Sequence, residues 1–148
     1  MENVDEKEFS LNPNANPEPF EQKEIILDYP MDNLFNKKKV PYIEKNNGSL
    51  MLKEKNYTKA VEFYNKALFS IKILTEDRDL NVGEEYIVRI IKEVEMPINS
   101  NLTLCYLKLA DYDQVIKYAG KVLSMEPENA KILYRRGMAY TYKVRNFK

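Results

Sequence analysis

Two pairs of polar and basic side chains stand at helical spacing in this sequence, where each could contact an anion. Lys131 and Arg135 are four residues apart, and so are Lys45 and Ser49. Each pair would therefore lie on one face of a helix. An Arg side chain can meet a carboxylate through two parallel hydrogen bonds, and a Lys adds a point charge. A Lys and an Arg at this spacing are most often the solvated face of a helix, so the pairs alone do not define a site.

The rest of the composition leaves few routes to catalysis. The 148 residues contain no His and a single Cys, Cys105. The commonest general base and metal ligand are therefore missing, and an intrachain disulfide is excluded. No Gly-rich phosphate loop is present, and the acidic residues are spread along the chain. We expect a protein that is not an enzyme, that needs no cofactor or metal, and that keeps Cys105 as a small core residue.

The charge balance and the apolar pattern narrow the partners. Lys and Arg number 23, as do Asp and Glu, so the net charge is zero. This balance favours neither nucleic acid nor an anionic membrane. No apolar run approaches the roughly 20 residues that span a bilayer, and the acidic N-terminus lacks the apolar core of a signal peptide. We expect a cytoplasmic protein with no nucleic-acid or membrane partner.

The elements that position these side chains are predicted to be helices. Apolar residues recur every three or four positions, and no segment alternates with period two. Three prolines and many acids predict an irregular acidic arm over residues 1–30. Pro97 should kink or divide the helix that contains it. The first helix should begin near Met31, with Asp32 as its cap, and four more should cover about residues 57–74, 84–110, 112–125 and 130–143.

Two stretches of the chain resemble one another. In residues 56–68 and 111–137 an aromatic side chain opens the first helix, and small or apolar residues follow it three and seven positions later. Asn101 and Arg135 are 34 residues apart, which is the period of the tetratricopeptide repeat. From Tyr57 to the matching aromatic residue the distance is 55 residues, which is 21 more than one period. We infer a repeat array with a long insertion between its first two units.

In this register the sequence resembles the tetratricopeptide repeat domain of co-chaperones of the large-immunophilin and aryl-hydrocarbon-receptor-interacting-protein type. The resemblance covers about residues 38–148 and implies an all-α helix-hairpin solenoid of about two and a half repeats over residues 31–148. The third repeat is truncated, so we expect self-association through its open edge. No β-rich domain of the isomerase type is predicted. The matching small and aromatic positions are Gly48, Tyr57, Ala60, Tyr64 and Ala67, then Tyr106, Tyr112 and Pro127, then Gly137 and Tyr140.

The resemblance also implies a ligand. Domains of this family often bind the acidic C-terminal tail of a heat-shock chaperone of the 90-kDa or 70-kDa class, which ends in Glu-Glu-Val-Asp. The residues that would grip its two terminal carboxylates fall on Lys45, Ser49, Asn101, Lys131 and Arg135. Four match the family in type, and Ser49 stands where the family has Asn. A tetratricopeptide scaffold for a different peptide or client, with a degenerate grip, is the alternative.

Overall fold

The computed structural model describes residues 33–146, and within them the chain is all-α, as predicted. The predicted arm over residues 1–30 and the predicted cap Asp32 lie outside this range. None of the helices in residues 33–146 combines the length and the apolar character needed to cross a membrane. The helices are α1 (Leu34–Lys53), α2 (Tyr57–Glu76), α3 (Glu84–Ile90), α4 (Met96–Lys108), α5 (Tyr112–Met125) and α6 (Ala130–Asn146).

Short polar side chains fix where α1, α2 and α5 begin. The carbonyl oxygen of the Asn33 side chain accepts a hydrogen bond from a backbone N–H of the first turn of α1 at 2.8 Å. Asn56 does the same for α2 at 3.2 Å, and Asp111 does so for α5 at 3.4 Å. Each cap satisfies a backbone donor that has no partner inside its helix. The start of α1 at Leu34 is therefore set by Asn33.

A π-helical segment divides the helix that the sequence predicts over residues 84–110. Helices α3 and α4 follow each other through a π-helical segment, Ile91–Glu95, and Pro97 occupies the first turn of α4. A proline lacks the backbone N–H that would bond to the carbonyl four residues earlier. A π turn is wider than an α turn, with bonds from residue i to i+5. The wide turn lies where the carbonyl of Glu93 loses the α-helical partner that Pro97 cannot supply.

The core lies between pairs of packed helices. Helix α1 packs on α2, α2 on α4, α4 on α5 and α6, and α5 on α6. The largest cluster includes the fully buried side chains of Tyr64, Ile90, Ile98 and Leu102, and a smaller one joins α5 to α6. Cys105 is also fully buried, and burial raises the pKa of its thiol to about 11. The thiol is therefore neutral and packed in the core.

A close contact between α1 and α2 depends on Gly48. A Cβ atom at this position would lie 2.6 Å from two ring carbons of Tyr64, whose side chain has no exposed surface. Non-bonded carbon atoms pack about 3.5–4.0 Å apart. Only glycine allows the backbone of α1 to lie on the tyrosine ring in this way. The contact fixes the position of the Tyr64 hydroxyl, which lies at the candidate site.

Candidate peptide-binding site

The hydroxyl of Tyr64 joins two of the predicted site residues. The side-chain amide of Asn101, on α4, donates a hydrogen bond to this hydroxyl at 3.1 Å. The hydroxyl of Ser49, on α1, lies 3.2 Å from the same oxygen, and either group can donate. Burial raises the pKa of Tyr64, and the hydrogen bonds from Ser49 and Asn101 oppose that rise. The tyrosine is therefore neutral and holds α1, α2 and α4 together.

Lys45 contacts the π-helical segment. Its Nζ atom donates to the backbone carbonyl of Glu93 at 2.9 Å. This is the carbonyl that Pro97 cannot satisfy, because proline has no N–H. A lysine ammonium has three donors. One donor of Lys45 therefore bonds to this backbone carbonyl, and the side chain is directed towards the π-helical segment.

Arg135 folds back onto α4. Its Nη1 atom donates to the backbone carbonyl of Ser100 at 3.0 Å and to the hydroxyl of Thr103 at 3.1 Å. The side chain is half-buried, and burial lowers the pKa of its guanidinium. Nη2 makes no hydrogen bond to any residue between 33 and 146. Arg135 therefore links α6 to α4.

Lys131 is exposed, and its side chain makes no hydrogen bond or ion pair within residues 33–146. It lines a cavity of about 300 Å³ between α4 and the junction of α5 with α6. Asn101 lines the same cavity, and so does Lys92 of the π-helical segment. Met96 and Val122 contribute apolar surface to it. The other three predicted site residues do not line this cavity.

Asn101 is the common member of these contacts. It reaches Ser49 through Tyr64, it shares the cavity with Lys131, and it follows the residue whose carbonyl binds Arg135. The repeat register predicts Tyr64 as a packing residue and assigns no role to its hydroxyl. It does not predict Lys92 as a site residue. A tyrosine rather than a phenylalanine at a buried aromatic position indicates that the Tyr64 hydroxyl has a partner. No feature of the sequence indicates a role for Lys92.

No protein-family model matches the chain. Over 107 residues it is 36% identical to the peptidyl-prolyl cis-trans isomerase CYP7 of Saccharomyces cerevisiae, in an alignment that covers 70% of this chain and 26% of that protein. Over 69 residues it is 35% identical to the peptidyl-prolyl cis-trans isomerase PASTICCINO1 of Arabidopsis thaliana, covering 47% of this chain and 11% of that protein. The chain therefore spans about a quarter or less of these relatives.

The expectation that the protein is not an enzyme is wrong on this comparison, because both relatives are named peptidyl-prolyl cis-trans isomerases. The reason is chemical. Isomerisation is a rotation about a peptide bond, over a barrier of about 18–20 kcal/mol, and no covalent bond is made or broken. Such a reaction needs no nucleophile, metal or phosphate loop. The lack of His and of cofactor motifs was therefore no argument against this activity.

Proposed function

We propose that this chain is a peptide-binding region of a protein of the peptidyl-prolyl isomerase kind, located in the cytoplasm, and that its helices form a tetratricopeptide solenoid. The names of the two relatives support the enzyme class. The pairing of α1 with α2 and of α4 with α5, followed by contacts of α6 with α4 and α5, supports the solenoid, since repeat proteins contact only adjacent units. The approach of α1 to α2 at Gly48 also agrees with a small residue at that repeat position.

The ligand we propose is the acidic C-terminal Glu-Glu-Val-Asp tail of a heat-shock chaperone. The observation that carries this proposal is the position of Asn101, which is linked to Ser49 through Tyr64 and shares a cavity with Lys131. Residues from three separate helices thus surround one region that has cationic and amide donors. Charged hydrogen bonds contribute about 1.5–3 kcal/mol each. A few of them, with one apolar contact, would give an affinity of about 1 μM, or roughly −8 kcal/mol.

Calorimetric titration with a Glu-Glu-Val-Asp peptide tests the proposal. The free acid should bind at micromolar concentration, and the peptide with a C-terminal amide should bind at least about tenfold more weakly, because one carboxylate is lost. Equal binding of the two peptides, or no binding of the free acid, would exclude a grip on the terminal carboxylate.

Substitution of Lys131 gives the corresponding test on the protein. Lys131→Ala should weaken binding of the free acid by about tenfold, because one charged contact is removed. The folded state should be unaffected, since this side chain is exposed and unbonded within residues 33–146. Lys59→Ala on α2 is a matched control, because it removes the same charge from an exposed position outside the cavity. Equal affinities of the two variants would contradict a role for Lys131.

A scaffold for a different peptide or client protein is the second candidate function. It is favoured by the internal bonds of Lys45, Ser49 and Arg135, which use donors that the carboxylate grip would need. Under this alternative the chain would bind neither form of the tail peptide. A substitution of Ser49 by Asn distinguishes the two functions, because it should tighten binding of the free acid only where the grip is genuine.

A further inference from the structure

The π-helical segment changes which lysines are available to a ligand. Pro97 leaves the Glu93 carbonyl without its α-helical donor, and Lys45 supplies a hydrogen bond to that oxygen at 2.9 Å. To bind a ligand through the same N–H, Lys45 must first give up this hydrogen bond. Lys45 is therefore committed to the fold in a way that an exposed, unbonded lysine is not.

Lys92 belongs to the π-helical segment and, unlike Lys45, has no hydrogen-bond partner in the part of the chain that the structure describes. Its side chain is exposed and makes no hydrogen bond or ion pair within residues 33–146. It lines the cavity of about 300 Å³ that also contains Asn101 and Lys131. Two cations and an amide thus border one cavity, next to the apolar surface of Met96 and Val122. This combination suits a carboxylate that has an apolar neighbour in its peptide.

The carboxylate of Glu126 also borders the cavity, and it accepts a hydrogen bond from a neighbouring side chain. Glu126 lines the cavity, and its Oε2 atom accepts a hydrogen bond from the Asn129 side chain at 2.8 Å. The two lysines therefore face a single acid, so the cavity keeps a net positive charge. Such a site attracts an acidic peptide and repels a basic one.

We propose that Lys92, rather than Lys45, supplies the second cation that holds an acidic peptide, together with Asn101 and Lys131. The cavity would take one carboxylate of the peptide, and Met96 and Val122 would contact the apolar residue beside it. This inference rests on the proposed function of the site. It assigns a binding role to a residue that lies outside the five predicted from the repeat register.

The test compares the wild-type chain with four variants in titrations with the free-acid Glu-Glu-Val-Asp peptide. Lys92→Ala should weaken binding about five- to tenfold, as expected for loss of a charged contact at an exposed position. Lys45→Ala should weaken it less than about threefold, and Lys59→Ala should match the wild type. Lys92→Arg should recover most of the affinity, because it restores the cation. Circular dichroism checks that every variant keeps its helices.

The outcomes separate this inference from the proposed function. If the wild type binds the free acid and Lys92→Ala behaves like Lys59→Ala, the role of Lys92 is excluded and the proposed function stands. A larger loss from Lys45→Ala than from Lys92→Ala would exclude it in the same way. A wild-type chain that does not bind the free acid would remove both proposals together.

Discussion

At the scale of single residues, the Tyr64 hydroxyl affects both the stability of the fold and the orientation of Asn101. It lies inside the fold and connects side chains of α1 and α4. A buried hydroxyl that is hydrogen-bonded contributes modestly to stability, at about 1 kcal/mol for each bond. Its larger effect is on orientation, because it holds one N–H of the Asn101 amide. Under the proposed function, the second N–H and the amide oxygen bind the ligand.

Substitution of Tyr64 by Phe should reduce both stability and binding. The free energy of unfolding, measured by urea denaturation, should fall by about 1–2 kcal/mol because two hydrogen bonds are lost. Affinity for the free-acid peptide should also fall, since Asn101 is no longer oriented. Tyr57→Phe is the control, because the Tyr57 hydroxyl makes no hydrogen bond within residues 33–146. An unchanged affinity in Tyr64→Phe would show that the hydroxyl has only a structural role.

At the scale of the elements, the pairing of α1 with α2 depends on Gly48. Gly48→Ala should destabilise the chain by about 1–3 kcal/mol, the usual cost of overpacking a core. The added Cβ would meet the Tyr64 ring at 2.6 Å, and that ring has no space into which it can move freely. Displacement of the ring would also disturb the bonds to Ser49 and Asn101.

The matched control for Gly48 is Gly120, on α5. A Cβ at Gly120 would meet nothing within 4 Å. Gly120→Ala should therefore stabilise the chain by up to about 1 kcal/mol, through higher helix propensity alone. Urea denaturation of both variants measures the contrast. A Gly48→Ala variant as stable as the wild type would contradict the close contact.

The sequence predicts the helices well where local signals mark their ends. Helix α5 has the predicted bounds, because Asp111 caps its start and Pro127 follows its end. The sequence predicts that Pro97 kinks or divides its helix, and the structure divides it into α3 and α4 by a π-helical segment. A proline in the first turn of α4 costs little, and the irregularity lies upstream as a π turn. Apolar spacing does not distinguish a π turn from an α turn over five residues, so the turn could not be predicted.

Repeat spacing selected candidate residues on α1, α4 and α6. Hydrogen bonds connect these helices, since Tyr64 joins Ser49 to Asn101 and Arg135 binds the carbonyl of Ser100. The directions of the side chains were not predictable in this way. Whether Lys45 meets a ligand or a carbonyl depends on a hydrogen-bond defect 48 residues away. Such long-range contacts have no signature in the periodicity of either helix.

At the scale of the whole molecule, the outer face of α6 is apolar and exposed. Leu133, Tyr140 and Val144 expose 40%, 52% and 64% of their surfaces. They are seven and four residues apart, so they form one stripe along the helix. A stripe of this kind favours association, because burial of apolar surface is stabilising. We expect the chain to self-associate through this face of α6.

Light scattering over a concentration series measures this self-association. The apparent mass should rise with concentration in the wild type, and Val144→Glu should keep the chain monomeric to higher concentration. Val88→Glu is the control, because Val88 is 67% exposed on α3 and lies outside the stripe. A wild type that stays monomeric throughout would contradict a role of this face in association.

The bond between Lys45 and the carbonyl of Glu93 has a consequence for evolution. Its acceptor is a main-chain oxygen, so the bond persists whichever side chain occupies position 93. The bond from Arg135 to the carbonyl of Ser100 has the same property. Substitutions at the two ends of such a bond are not expected to correlate among homologues. Methods that infer contacts from covariation would therefore miss these two links, although they help to decide which cations remain available at the surface.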